Sequence, residues 1–334
     1  MILMPLQLVD KFNRQINYIR LSVTDRCNFR CRYCMDHDTA FVPRTQILTL
    51  DELALIGQTF VELGVTKIRV TGGEPLVRNN VLRLFHDLGQ LQGLQELAIT
   101  TNGSKLVQMA KPLREAGVHT VNISLDSLQP QRFRYITQHG ELEVVLRGIE
   151  TVLQAGFVRV KLNAVILKDF NHDEVMDLLK FAIQSEIDIS FIEEMPLGLT
   201  NYHNHAQVYY SNDQIRHDLA QQFELIPTTE SSGGPSKYYR IPHTKTRVGF
   251  ISPHSHNFCE TCNRVRVTTH GRLFLCLGQE DSVDLRPMIC SPLREIERLK
   301  QTIIQAISHK PQGHDFDFKG KKPRILRYMN MSGG

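Results

Sequence analysis

The chain has 334 residues, with 39 Lys and Arg against 35 Asp and Glu and a formal net charge of +4. With 41% hydrophobic and 22% charged residues, it can bury a large core without disulfide staples, which excludes a disordered chain, a collagen-like chain and a disulfide miniprotein. No apolar run reaches the ~18–20 residues a membrane span needs, and Met1 to Val9 lacks a basic leader before it meets Asp10 and Lys11, so a soluble cytoplasmic protein without membrane attachment is expected.

In chain order, Ile16–Val23 reads as a strand that delivers Thr24 onto a cysteine-rich loop. Thr49-Leu50-Asp51-Glu52 is a capping box. The helix it opens carries Leu53, Ile56, Phe60, Val61 and Leu63 at helical spacing and stops at Gly64. Strand Lys67–Thr71 runs into Gly72-Gly73-Glu74-Pro75, followed by a helix over Val81–Leu91. Strand Leu97–Thr100 ends in Thr101-Asn102-Gly103, before a helix over Lys105–Ala116. Strand Thr120–Ser124 leads to Asp126 and to helical patterns over Pro130–Tyr135 and Glu143–Ala155. Strand Arg159–Ile166, helix Asp173–Ser185 and strand Ile187–Glu193 complete six strands alternating with helices. The alternation predicts an α/β fold with a parallel sheet, either doubly wound or a whole or partial barrel. G-x-G-x-x-G is missing after the first strand, which counts against a dinucleotide-binding unit. The polar and Gly-rich signals sit at the C-terminal strand ends, where barrels keep their active sites.

After Leu197 the pattern changes, and two domains are expected, 1–197 and 198–334. Thr228–Ser236 is a flexible Ser/Gly/Pro segment. Tyr238–Ile241 and Arg247–Ile251 read as short strands, and Arg264–Thr269 and Arg272–Leu277 as a hairpin with Cys276 on its second strand. A helix is expected over Pro292–Ile307, so the C-terminal part reads as a small α+β appendage.

Seven cysteines in a cytosolic chain are poor candidates for disulfides. Six of them form two triads: Cys27, Cys31 and Cys34 as C-x-x-x-C-x-x-C, and Cys259, Cys262 and Cys276 as C-x-x-C followed by a third Cys in the hairpin. Cys290 is left over and reads as a partly buried free thiol. Structural zinc wants four closed ligands, and His37 is a surface residue rather than a fourth. Iron–sulfur cubes are usually held by four thiolates; three leave one iron open to a ligand. Two triads therefore point to two clusters with open irons, with zinc sites as the rival.

The first triad, on a loop after the first strand, resembles the radical S-adenosylmethionine (SAM) family. Gly72-Gly73-Glu74-Pro75 after the second strand matches that family's GGEP-type motif. A narrower set resembles the GTP 3′,8-cyclase family: VDKFNRQINYIRLSVTDRCNFRCRYCM from Val9 to Met35, KIRVTGGEPLVR, ITTNG, NISLDSL, KLNAVIL, FIEEMP, FCETCNRVRVT and the terminal Gly333-Gly334. The resemblance covers essentially the whole chain. It implies an incomplete (βα)6 TIM-type barrel with a smaller C-terminal domain carrying a second cluster. It implies a radical SAM lyase acting in the first step of molybdenum cofactor (molybdopterin) biosynthesis: a 5′-deoxyadenosyl radical takes the ribose 3′-hydrogen of GTP, and C3′ then attacks C8 of guanine. Cys27, Cys31 and Cys34 would hold the SAM-cleaving [4Fe–4S] cluster, and Cys259, Cys262 and Cys276 a second one. Tyr33, Gly73, Ser124 and Met195 would contact SAM. Arg20, Arg69, Thr100, Lys161, Arg264, Val265 and Arg266 would contact GTP, with Arg20, Arg264 and Arg266 closest to the chemistry and Arg272 a lesser candidate. A flavodoxin or ferredoxin type electron donor, hand-over to cyclic pyranopterin monophosphate synthase, and a homodimer or monomer follow by the same resemblance. Another radical SAM enzyme with an auxiliary cluster, or a non-enzymatic metal-binding module, are the competing readings.

Charge supports an anionic ligand. Arg264, Arg266 and Arg272 have even spacing and share a strand face unless a bulge intervenes. Lys161 shares a face with Arg159 and Asn163, and buried bases demand anionic partners. From His309 to Gly334 there are six Lys/Arg against two Asp, an excess equal to the whole net charge. That tail reads either as solvated or as meeting an anion, with no nucleic-acid partner implied. Glycine permits close backbone approach, so the Gly333-Gly334 end is able to enter the active site.

Overall fold

The computed structural model describes residues 7–198, 205–291, 294–317 and 323–333. Its elements are β1 (Tyr18–Ser22), α1 (Leu50–Glu62), β2 (Lys67–Thr71), α2 (Val81–Gly89), β3 (Glu96–Thr101), α3 (Leu106–Glu115), β4 (Thr120–Ser124), α4 (Pro130–Thr137), α5 (Leu142–Gln154), β5 (Arg159–Ile166), α6 (Val175–Gln184) and β6 (Asp188–Glu193). There follow α7 (His205–Val208), α8 (Asn212–Ala220), β7 (Ile226–Pro227), β8 (Lys237–Arg240), β9 (Arg247–Ile251), β10 (Arg264–Val267), β11 (Arg272–Phe274), β12 (Ser282–Asp284), α9 (Arg286–Ile289), α10 (Ile296–Ser308) and α11 (Met329–Ser332).

Strands β1 to β6 lie side by side and parallel, with helices between them, which is the expected incomplete (βα)6 barrel. The strands of the smaller C-terminal domain join the barrel sheet. β10 pairs parallel with β1, and β9 pairs parallel with β6. The order is β12-β11-β10-β1-β2-β3-β4-β5-β6-β9-β8-β7, one sheet extended at both edges. An exposed parallel edge carries unpaired backbone groups; the C-terminal chain covers both.

Each barrel strand divides its residues between two faces. Ile19 and Leu21 on β1, Ile68 and Val70 on β2, and Leu162 on β5 are fully buried in the apolar core beneath the helices. The alternate positions Arg20, Arg69 and Lys161 line an interior cavity. Register aligns them: Arg20 lies between Arg266 and Arg69, and Lys161 opposite Asn122. The capping box forms as expected, the Glu52 amide donating to Thr49 Oγ1 (3.2 Å) and the Thr49 amide to Glu52 Oε2 (2.6 Å).

Three details differ from the sequence reading. β11 ends at Phe274, so Cys276 lies in the loop beyond the hairpin; there the Leu275 carbonyl accepts from Lys310 rather than from a neighbouring strand. The last long helix starts at Ile296, because Arg294 sits at φ 43°, a left-handed conformation no helix runs through; Pro292 and Leu293 lie outside the described residues. Cys290 is exposed rather than partly buried, its thiol donating to Glu52 Oε1 (3.2 Å). Among the described residues no helix is long and apolar enough to cross a membrane.

Candidate active site

The first cysteine loop leaves β1 and is held from beneath by the turn after β2. Val23 donates to the Thr71 carbonyl (2.9 Å), Gly73 to that of Thr24 (2.7 Å) and Glu74 to that of Arg26 (2.9 Å). The glycines are required by this contact: a Cβ on Gly72 or Gly73 would lie 2.2 Å from the Thr24 oxygen or 2.4 Å from the Arg26 oxygen. Glu74 is fully buried. Its carboxylate accepts from the Leu76 amide (2.9 Å), Thr101 Oγ1 (2.9 Å) and the Asn102 amide (2.6 Å), and burial raises it to about 7. It fastens the β2 turn to the β3 end, where Asn102 Nδ2 reaches Cys27 Sγ at 3.7 Å.

Cys27, Cys31 and Cys34 are free, half-buried thiols. Burial pushes Cys27 up to about 11 and Cys34 up to about 12, and Cys31 well above its ordinary value. Cys34 and Cys27 add repulsion at Cys31 to the larger effect of burial, so the three thiols lie within electrostatic reach of one another. The Tyr33 hydroxyl donates to Asp126 Oδ2 (2.7 Å), fixing its ring beside the C-terminal end of β4. Ser124, the last residue of β4, is paired in register with Asn163.

The interior cavity holds about 1070 Å³ of non-atom space, part of it open to solvent. Six basic side chains line it (Arg20, Lys67, Arg69, Lys161, Arg264 and Arg266), with no carboxylate among the described lining residues. Arg69 Nε donates to the Tyr18 hydroxyl (2.7 Å), and its Nη1 to the Ile99 carbonyl (3.1 Å) and Thr100 Oγ1 (3.4 Å). Lys161 Nζ donates to Ser190 Oγ (3.2 Å) and the Tyr238 hydroxyl (3.3 Å). Burial lowers Arg20 to about 10, Tyr18 holding it up while Arg69 and Arg264 push it down. Burial alone would raise Tyr18, but Arg69, Arg20, Lys67 and Arg264 outweigh it and bring the phenol down to about 7. Positive charge packed this tightly in a low-dielectric wall is built for a polyanion.

The second triad opens onto the same cavity: Cys259, Cys262, Cys276, Val265 and Met195 all line it. Cys27, Cys31, Cys34, Tyr33, Gly73, Ser124 and Thr100 lie outside its lining. Arg14 grips the second triad through its loop: Nη1 donates to the Cys259 carbonyl (2.7 Å) and the Gln312 carbonyl (3.0 Å), while Nε pairs with Asp10 (2.6 Å). Cys262 is brought down because Arg264 and Lys310 outweigh its burial. His254 packs at a tilt against the Tyr209 ring and His256 binds Asp213; His270 is half-buried, and none of the three lines the cavity. Arg272 donates to Ser282 Oγ (2.9 Å) on β12 and is likewise absent from the lining.

The tail is structured where it is described. Asn330 Nδ2 donates to the Asp25 carbonyl (2.8 Å), Ser332 is fully buried, and Arg266 Nη1 donates to the carbonyls of Ser332 (3.2 Å) and Gly333. Gly333 sits at φ 80°, where a Cβ would lie 2.2 Å from Thr71 Cγ2. Gly334, Lys319, Lys321 and Lys322 lie outside the described residues. Lys310 and Arg327 are buried, Arg327 pairing with Glu280 (2.6 Å), so these two are not solvated tail charges. Tyr18, Lys67, Arg14 and Lys310 escaped the sequence reading. Strand parity marks the first two, since Tyr18 and Lys67 alternate with Arg20 and Arg69; Arg14 and Lys310 act across long sequence distances.

Two family models match the chain, the Radical SAM superfamily over residues 21–182 and Molybdenum Cofactor Synthesis C over residues 187–316. Among curated proteins, a GTP 3′,8-cyclase of Saccharophagus degradans is 53% identical over 327 residues, covering 98% of each chain. One of Pseudomonas entomophila is 53% identical over 331 residues, covering 99% of each. The chain belongs to the GTP 3′,8-cyclase family. Of solved structures, Streptococcus suis SuiB bound to S-adenosylmethionine shares the fold at TM-score 0.63 and 13% identity, over 96% of this chain and 79% of that one. Membership in the radical SAM superfamily brings with it SAM and a [4Fe–4S] cluster.

The first triad fits that cluster. Its three thiols are free and raised chiefly by burial, with Cys34 and Cys27 adding repulsion at Cys31, and ligation by cationic iron relieves the cost of a buried thiolate. The second triad has the same donor set, and its sulfurs likewise feel one another.

Proposed function

We propose that this chain converts GTP to (8S)-3′,8-cyclo-7,8-dihydroguanosine 5′-triphosphate, the opening reaction of molybdenum cofactor biosynthesis. The observation that carries this is the six-cation cavity wall meeting the second cysteine triad in one cavity. Residues 1–197 carry the SAM half and 198–334 the second-cluster half. Cys27, Cys31 and Cys34 hold the SAM-cleaving cluster, and Cys259, Cys262 and Cys276 a second [4Fe–4S] cluster. When bound, SAM and the first cluster supply the radical that takes the ribose 3′-hydrogen. Tyr33, Gly73, Ser124 and Met195 form the SAM side. Arg20, Arg69, Lys161, Arg264 and Val265, with Thr100 behind Arg69, surround GTP; planar guanidinium forks suit its phosphates.

The protein's contribution is positioning. C3′ and C8 belong to one ligand, and clamping it at the triphosphate and the base turns their encounter into an oriented intramolecular step. Arg20 and Arg264 face the anion directly, whereas Arg266 acts in part through the tail carbonyls it holds. An acidic donor of flavodoxin or ferredoxin type supplies electrons, the product passes to cyclic pyranopterin monophosphate synthase, and the enzyme works as a monomer or homodimer. Equilibrium binding to the anaerobically reconstituted protein tests the cavity assignment. Each charge-assisted hydrogen bond contributes about 1.5–3 kcal/mol, so GTP binds at least about tenfold tighter than guanosine. Equal affinities would remove the cationic wall from substrate recognition.

A further inference from the structure

Lys310 reads in sequence as the first charge of a basic tail, yet its side chain is among the most buried in the molecule, 1% exposed just beyond the end of α10. No carboxylate pairs with it among the described residues. Nζ instead donates to two main-chain carbonyls, those of Arg264 (3.1 Å) and Leu275. Both stand beside the second triad: Arg264 is two residues after Cys262, and Leu275 immediately precedes Cys276. The Cys262 thiol points to the same Arg264 carbonyl at 3.8 Å. The field of the ammonium reaches Cys259, Cys262 and Cys276 alike.

A buried ammonium whose partners are two neutral carbonyls and the Cys262 thiol is costly unless an anion compensates it. The ionisable groups here that can carry that negative charge are the three thiols. We propose that Lys310 is a positioning residue for the second cluster: it ties the Cys262 and Cys276 segments together, and its charge stabilises the anionic thiolate-bound state, more strongly once an electron is added. The inference rests on the second triad holding a cluster. Cluster potential responds to net charge, hydrogen bonding and exposure, so a fixed positive charge raises it.

The test is a potentiometric titration followed by electron paramagnetic resonance on the full-length, anaerobically reconstituted protein. Iron and sulfide are counted in parallel, and the second cluster's signal is identified as the one lost in Cys276→Ser. Lys310→Gln keeps hydrogen-bond donors and removes the charge; Lys310→Arg keeps the charge. The expected result is a second-cluster midpoint shifted to more negative potential in K310Q, restored toward the wild-type value in K310R, with the first cluster unmoved. An unchanged midpoint in K310Q, or equal shifts in both variants, overturns the proposal. If K310Q fails to load its second cluster while K310R loads it, charge is the requirement and the proposal stands; if neither loads, packing decides and it falls. A wild-type protein with only about four iron per chain would instead overturn the second-cluster reading and this inference with it.

Discussion

Arg266 shows how a single side chain changes meaning between sequence and fold. Its spacing with Arg264 marks a cationic strand face, but its guanidinium is engaged by the carbonyls of Ser332 and Gly333, 66 and 67 residues away. Removing it in Arg266→Ala forfeits hydrogen bonds from a charged donor, each about 1.5–3 kcal/mol, concentrated on the tail. The expected outcome is faster proteolysis near residues 323–333 and loss of cyclisation, with SAM binding kept; deletion of Ser332–Gly334 gives the same pattern. An unchanged cleavage rate in the variant contradicts the contact. Tyr18 yields a pH prediction. Its folded value of about 7 lies below its ordinary 10.0, so the unfolded chain binds the extra proton between those limits, and stability rises with pH across them. The stability difference between ligand-free wild type and Tyr18→Phe should therefore grow from about pH 7 to about pH 10 and below that stay constant at what the lost Arg69 hydrogen bond costs. A difference independent of pH would show that the four cations do not act on the phenol.

At the scale of elements, local chemistry was legible and long-range chemistry was not. The Thr49–Glu52 capping box, the six strands and the two cysteine triads depend on spacings of a few residues, which sequence displays directly. Thr49→Ala removes the cap, expected to cost about 1 kcal/mol and about 2 °C in Tm by calorimetry. The start of α10 was misplaced because a non-glycine residue at positive φ, Arg294, leaves no compositional mark. Gly73 looked like a cofactor contact, and its geometry gives a further reason for glycine: a side chain would strike the Arg26 carbonyl. Overpacking of this kind costs about 1–3 kcal/mol, and here it displaces the cysteine loop. Gly73→Ala should therefore lose about half of the reconstituted iron while the second triad keeps its share; full iron content would mean the loop tolerates the shift.

For the whole molecule, the barrel and its C-terminal domain share one sheet, whose C-terminal strands flank both edges of the six-stranded core. Sequence order hid this, because β9 and β10 join strands far away along the chain. A fragment of residues 1–197 would expose the β1 and β6 edges and is expected to aggregate; a monomeric, cooperatively melting fragment would contradict the architecture. The same closure brings Arg264 and Arg266 from one edge, and Ile251 and Pro253 from the other, onto one cavity that also receives Arg20, Arg69 and Lys161. That shared cavity is the centre of the account, and turnover tests it most directly. Reconstituted protein is incubated anaerobically with SAM and dithionite, and 5′-deoxyadenosine is measured with GTP, ATP, CTP and UTP in turn. Release stimulated by GTP alone is the predicted result; release at the same rate with every nucleotide would contradict it.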